Sequence, residues 1–263
     1  MSHLLALDAS TSLRQRVARG ETTTGTQIGL NDPAVIEIFG RVGFDWAVID
    51  TEHTSISPAD VRAFLQAAEG RGIVPVVRVP RLDPDALRLV LDLGAAAILC
   101  PFIETAEDAE ALVSACHYPP RGRRGWNPRR AANYGIDSAD YLARCDEGIL
   151  VLAIIESARG VDHAQEIAAT PGIDGVILGP MDLTLDLGCF PDLEHPDYVA
   201  AYTQVRDACR AEGTAFGAGA YDAATAAAAR SNGETLLLLM GDEPLLVGAA
   251  AQLLSDTRTQ VGP

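Results

Sequence analysis

Short apolar runs recur along the chain, separated by longer stretches in which apolar residues return every three or four positions. The runs are Thr26 to Leu30, Trp46 to Asp50, Val74 to Val79, Ala97 to Pro101, Leu150 to Ile155, Gly175 to Leu178, Thr214 to Gly217 and Thr235 to Met240. Each is apolar at consecutive positions and reads as a short strand covered on both faces. The stretches between them read as amphipathic helices: Pro33 to Gly40, Ser57 to Glu69, Pro84 to Leu93, Ala106 to Ala115, Val161 to Ala168, Tyr198 to Glu212 and Ala223 to Ser231. Asp32-Pro33, Ser57-Pro58 and Asp83-Pro84 each set a capping side chain before a proline, a helix-start signature. Gly72, Gly94 and Gly213 stand where helices should stop. This alternation predicts the α/β class, with parallel strands joined by crossover helices. The 263 residues suit one (β/α)8 TIM barrel, so a single domain over 1–263 is expected.

Two segments depart from the repeating unit. The connection between the fourth and fifth strands is long; it carries an inserted Arg/Pro/Gly-rich loop at 116–136 and a short helix at Ala139 to Arg144. At the end of the chain, 243–254 reads as an apolar helix followed by a polar tail. The insertion holds Arg121, Arg123, Arg124, Arg129 and Arg130, which could be a landing patch for nucleic acid or a turn-rich loop pairing with acidic neighbours or a partner subunit. A net charge of -16 favours the second reading, because the molecule as a whole repels phosphate backbones and anionic lipid heads. Neither nucleic acid nor a membrane is expected as a partner. No apolar run approaches the ~20 residues needed to cross a bilayer, and the first residues lack a signal-peptide pattern. A cytoplasmic location is therefore expected.

Cysteine and lysine usage narrow the chemistry. The five cysteines form no C-x-x-C pair, so neither a disulfide framework nor a zinc ribbon is indicated. All 20 of the Lys+Arg positions are arginine. A chain without lysine has no Schiff-base lysine and no P-loop lysine.

In such a barrel, functional groups gather just beyond the C-terminal ends of the strands. Four strands end in polar residues of this kind: Asp50-Thr51-Glu52-His53, Arg78, Glu156, and Gly179-Pro180-Met181-Asp182. Glu156 and Asp182 would stand on neighbouring strands at one rim, where two carboxylates and water suit a hard divalent ion. Without a cation their repulsion would be costly. His53 is a candidate general acid/base, with Asp50 placed to fix its tautomer. Arg78 would aim from the barrel interior at an anion or a developing oxyanion.

These residues, with Gly43-Phe44-Asp45-Trp46, Ile49-Asp50-Thr51-Glu52-His53, Val76-Val77-Arg78, Tyr118-Pro119-Pro120-Arg121-Gly122, Ile154-Ile155-Glu156 and Gly179-Pro180-Met181-Asp182-Leu183-Thr184, resemble the HpcH/HpaI family of class II, metal-dependent 2-oxo acid aldolases. The resemblance runs from Gly25 to about Leu254. It implies a barrel of the phosphoenolpyruvate/pyruvate-binding type that cleaves or forms 4-hydroxy-2-oxo acids from pyruvate or hydroxypyruvate and an aldehyde. It also implies that Glu156 and Asp182 hold a divalent metal ion (Mg, Mn or Co), and that His53 is the acid/base residue with Asp50 orienting it. Arg78 would stabilise the enolate, and Gly179, Pro180, Met181, Asp182 and Gln27 would complete the substrate site. Relatives assemble as hexamers that exchange a C-terminal helix, which 243–254 could supply, so a homo-oligomer (hexamer or trimer of dimers) is implied.

Gln27 stands where relatives often present an aromatic residue, and Trp126-Asn127 where they have small residues; both departures would alter the pocket wall. Other readings are a related use of the same enolate, such as oxaloacetate decarboxylation or a macrophomate-synthase-like addition, and a non-catalytic binding barrel. A phosphosugar site at Gly217, Gly219 and Gly241 is disfavoured by the acids Asp222, Asp242 and Glu243 beside them.

Overall fold

The computed structural model describes residues 4–261. Its strands are β1 (Thr23–Ile28), β2 (Trp46–Asp50), β3 (Val74–Arg78), β4 (Ala97–Cys100), β5 (Leu150–Ile155), β6 (Gly175–Leu178), β7 (Ala215–Gly217), β8 (Gly219–Ala220) and β9 (Leu236–Leu239). The helices are α1 (Leu5–Ala18), α2 (Ala34–Val42), α3 (Pro58–Ala68), α4 (Pro84–Asp92), α5 (Ala106–Cys116), α6 (Ser138–Gly148), α7 (Ala158–Asp162), α8 (Ala164–Ala169), α9 (Pro180–Asp186), α10 (Pro196–Glu212), α11 (Ala223–Ser231) and α12 (Asp242–Val261). Every strand pair is parallel, in the order β7-β6-β5-β4-β3-β2-β1-β9-β8. The strands β7 and β8 are two pieces of one stave interrupted at Ala218; β7 pairs with β6 and β8 with β9, which brings the sheet round into the expected TIM barrel.

The break in that stave has a local cause. A Cβ on Gly217 would lie 1.8 Å from the carbonyl oxygen of Leu236, so only glycine allows the close backbone approach there. The displaced Ala218 N–H is satisfied by the buried Glu234 carboxylate at 2.8 Å.

Alternation along the staves sorts the core into two layers. Trp46 and Val48, Val74 and Val76, Ala97 and Leu99, Leu150 with Leu152 and Ile154, Ile177 and Leu236 form the barrel interior. Their neighbours Ala47 and Ile49, Val77, Ile98, Val151 with Ala153 and Ile155, and Val176 pack under the helices. The interior series continues by twos into Asp50, Arg78 and Glu156, so the polar residues at the strand ends form the topmost inward layer.

Three helices differ from the sequence expectation. The helix α1 was not foreseen, because its inward positions Leu7, Ser10, Leu13 and Val17 include a serine; Ser10 is buried and donates to the Ala96 carbonyl at 2.6 Å. Leu13 and Val17 join the interior cluster, so α1 closes the end of the barrel opposite the strand C-termini. The short α9 follows β6 directly, and α12 runs beyond the expected 243–254 to Val261.

The arginine-rich insertion is tied to its own chain. Arg124 is buried, donating to Asp92 (2.6 Å) and the Tyr141 hydroxyl (3.0 Å), with its guanidinium 4.7 Å from the Tyr118 ring centre. Arg130 pairs with Glu69, and Arg121 donates to the Asp146 carbonyl at 2.7 Å. These partners match the reading of a loop that engages acidic neighbours. At its start His117 is buried with Nδ1 3.1 Å from Asp146 Oδ1, and burial and the Arg121 charge hold the imidazole below its ordinary pKa despite that carboxylate.

Leu13→Ala is expected to lower stability by about 3 kcal/mol in urea denaturation, the usual cost of truncating a core leucine. The unfolded chain takes up more proton at His117 than the folded one below about pH 6.5, so the fold weakens as pH falls through that range. Wild type should accordingly lose its stability advantage over His117→Gln as pH drops; parallel pH profiles would refute the assignment.

Candidate active site

The residues expected to act are brought together. Gln27, Asp50, His53, Arg78, Glu156, Gly179, Pro180, Met181 and Asp182 all line one cavity of about 540 Å³ at the C-terminal mouth of the barrel. Trp126 and Asn127 do not line it. Trp126 packs against Tyr118 with ring centres 5.0 Å apart, so the expectation that this pair shapes the pocket wall is corrected. Gln27 does face the cavity, and its amide donates to Asp50 Oδ2 at 3.0 Å.

Asp50 has a different task from the one its spacing suggested. It does not hold the His53 imidazole; its carboxylate accepts from Arg78 with both oxygens, Arg78 Nε lying 2.9 Å from Oδ1, and reaches His53 only through the backbone N–H at 3.3 Å. The Glu52 N–H adds a further bond at 2.9 Å. The turn after β2 curls back over the carboxylate, which therefore serves the backbone and the neighbouring stave. Burial pushes the Asp50 carboxyl up, but the Arg78 hydrogen bonds and charge outweigh this and hold it below its usual range. The His53 ring is exposed, with Nε2 3.5 Å from Glu52 Oε2.

Glu52 was not singled out from sequence. Its side chain is largely buried, and Oε2 lies 3.4 Å from Arg78 Nη1 without a hydrogen bond to any group among the described residues. Burial raises its pKa, with Asp50 and Asp182 adding to the rise and Arg78 and His53 opposing it. Phe102 was also missed. It sits beyond β4 in the left-handed region at φ 50°, an unusual conformation for this residue, and its N–H donates to Glu156 Oε1 at 3.0 Å.

Glu156 is buried at the top of β5, and its carboxyl is pushed up to about 7 by burial, with Glu52 and Asp182 adding to the rise against the Phe102 N–H. Gly179 makes room for it, since a Cβ there would meet Glu156 Oε2 at 2.5 Å. Arg78, clamped by Asp50, cannot neutralise Glu52, Glu156 and Asp182 together. Among the described residues no group of three or more His, Cys, Asp or Glu forms a cage for a metal ion. The donors present are two carboxylates, Glu156 and Asp182, in a field of uncompensated negative charge with a buried orphan oxygen beside them. That set fits a hard divalent cation whose other positions are left to water and substrate oxygens.

A parallel barrel with carboxylates, an arginine and an exposed imidazole at its C-terminal mouth has the build of a TIM-barrel enzyme. The profile of the HpcH/HpaI aldolase/citrate lyase family matches residues 24–245, and the chain belongs to that family. It is 37% identical over 244 residues to a 5-keto-4-deoxy-D-glucarate aldolase from Escherichia coli, covering 92% of this chain and 94% of the relative. Its fold matches a family protein from Burkholderia cenocepacia J2315 with a TM-score of 0.91 at 36% identity, over 94% of this chain and 99% of the other. It also matches an HpcH/HpaI aldolase from Desulfitobacterium hafniense DCB-2 with a TM-score of 0.88 at 28% identity, over 94% and 96%.

Gly179→Ala should displace the Glu156 carboxylate and weaken Mn2+ binding by about tenfold or more, the usual range for a residue supporting a ligand. Titration calorimetry checks this, with circular dichroism to confirm the fold; unchanged affinity would contradict the role given to Gly179.

Proposed function

We propose that the chain is a divalent-cation-dependent carbon–carbon lyase that cleaves 4-hydroxy-2-oxo acids to pyruvate or hydroxypyruvate and an aldehyde, and catalyses the reverse addition. The observation that carries this reading is the gathering of Asp50, Glu52, Glu156 and Asp182 around Arg78 at the mouth of the barrel, in a chain of an aldolase family that itself has no lysine to form an imine. Glu156 and Asp182 would hold the cation (Mg, Mn or Co), which when bound supplies the Lewis acidity that makes a 2-oxo acid carbonyl an electron sink.

The chain's own residues do the rest. Arg78, fixed by the two bonds it donates to Asp50, presents its remaining N–H groups to the oxygen that gains charge as the C3–C4 bond of the substrate breaks. In cleavage His53, exposed at the mouth, takes the proton from the C4 hydroxyl, and C3 of the enolate takes up a proton to become the methyl group of pyruvate; addition runs both transfers in reverse. Asp50 is a positioning residue acting through Arg78, and the Gln27 amide holds its other side. The segment Gly179 to Asp182 would receive the substrate carboxylate end, next to the cation ligands.

The chain would act as a homo-oligomer. The helix α12 leaves Leu246, Val247, Leu253 and Leu254 exposed along its length, an apolar surface suited to exchange between copies in a homo-oligomer, a hexamer or trimer of dimers. Five buried free cysteines suit a reducing compartment such as the cytoplasm. No described helix is long and apolar enough to cross a membrane.

Pyruvate release from a panel of 4-hydroxy-2-oxo acids should require added Mg2+, Mn2+ or Co2+ and disappear on thorough chelation; activity that survives chelation would overturn the mechanism. Glu156→Ala and Asp182→Ala should abolish cation binding. His53→Ala should keep the cation and lose a factor of about 100 or more in kcat, the worth of a positioned acid/base. A fully active Asp182→Ala protein would contradict the site.

A further inference from the structure

The cavity has a second half that the chemistry above does not use, built from the loops after β8 and β9. Tyr221 lines it at the end of the interrupted stave, with its ring folded over Gly219; a Cβ on Gly219 would lie 3.0 Å from the Tyr221 hydroxyl. The missing side chain at Gly219 is thus what admits the phenol. That hydroxyl makes no hydrogen bond within the described residues; the residue is 43% exposed, and the partial burial of its ring raises its pKa, so it is a protonated donor at neutral pH. Glu243 lines the same wall at the start of α12, folded over Gly29, where a Cβ would meet Glu243 Oε2 at 2.9 Å. Its carboxylate has no ion-pair or hydrogen-bond partner among the described residues. Its neighbour Asp242, buried, is spent on the N–H groups of Gly29 and Leu30 at 2.9 and 3.0 Å.

This half therefore offers one hydroxyl donor and one free carboxylate. Among the described residues lining the whole cavity, the cationic side chains are Arg78, committed to Asp50, and His53 when protonated. We infer that the acceptor substrate is a neutral aldehyde bearing hydroxyl groups, held by Tyr221 and Glu243, and not a carboxylated semialdehyde. A hydroxyl beside the aldehyde carbon can donate to the Glu243 carboxylate and accept from the Tyr221 phenol. Tyr221 and Glu243 are both open to solvent, so an alkyl chain would simply gain neither bond, whereas a second carboxylate would face Glu243 with no cation to meet it. The inference rests on the aldolase reading and names the substrate class of that same site.

The test uses the Mn2+-loaded enzyme with pyruvate as donor, comparing kcat/KM for glyceraldehyde, propanal and succinic semialdehyde. Exchange of the pyruvate methyl protons in D2O, which needs no aldehyde, is followed on the same wild-type sample. Glyceraldehyde should exceed both other acceptors by about tenfold or more, the worth of one well-made hydrogen bond in discrimination. Tyr221→Phe should shrink the ratio of glyceraldehyde to propanal by a similar factor, and Glu243→Gln should raise succinic semialdehyde relative to glyceraldehyde. Exchange that proceeds while succinic semialdehyde equals or outruns glyceraldehyde would overturn this inference alone. A wild-type ratio that both variants leave unmoved would overturn it too. Absence of exchange would overturn the aldolase reading, and this inference with it.

Discussion

Carboxylates crowd the mouth of this barrel faster than the chain can neutralise them. Asp50, Glu156 and Asp182 line one cavity with Glu52 beside them, and the one arginine among the described lining residues gives two of its donors to Asp50. Glu52 and Glu156, buried with no ion pair strong enough to offset it, are pushed toward their protonated forms, most plainly Glu156, raised to about 7 in spite of the Phe102 N–H. Such an arrangement is costly for a folded chain unless something positive joins it. The rest of the site is arranged around that deficit. Gly179 gives Glu156 room, Phe102 turns left-handed to aim an N–H at it, and Asp50 fixes Arg78 by accepting from two of its donors.

The fold delivers these groups by strict alternation. A strand buried on both faces gives every second residue to the barrel interior, and the last of these on β2, β3 and β5 are polar. The interior below is filled by Trp46, Leu152, Ile154 and their neighbours and closed at the far end by α1, so the polar layer has a dry floor and one open side. On the opposite arc, the break at Ala218 and the glycines Gly29 and Gly219 leave space that Tyr221 and Glu243 occupy. One half of the cavity thus carries Asp50, Arg78, Glu156 and Asp182, and the other Tyr221 and Glu243.

Most of the main elements were legible in the sequence, and for a physical reason. The strands β2, β3 and β5 are apolar at every position before their ends, so Asp50, Arg78 and Glu156 stand out there. What the sequence concealed depended on backbone shape or on mixed patterns. Ser10 satisfies its hydroxyl on the Ala96 carbonyl and so hid the inward face of α1. Glu52 lies past the strand in a turn, where its burial is set by how the chain curls back over Asp50. Phe102 contributes its N–H, which no side-chain pattern reports. The partner of Asp50 was misjudged because proximity along the chain pointed to His53, whereas parallel pairing sets Arg78 directly across from it in register.

The central claim is that Glu156 and Asp182 together grip a cation whose charge resolves the crowding. It is tested most directly by diffraction from crystals grown with Mn2+ and pyruvate, collected at a wavelength where manganese scatters anomalously. The account predicts one anomalous peak within coordination distance of both carboxylates, on the side of the cavity that His53 and Arg78 face. A peak elsewhere, or none at saturating Mn2+ with the two acids instead satisfied by protein groups, would contradict it.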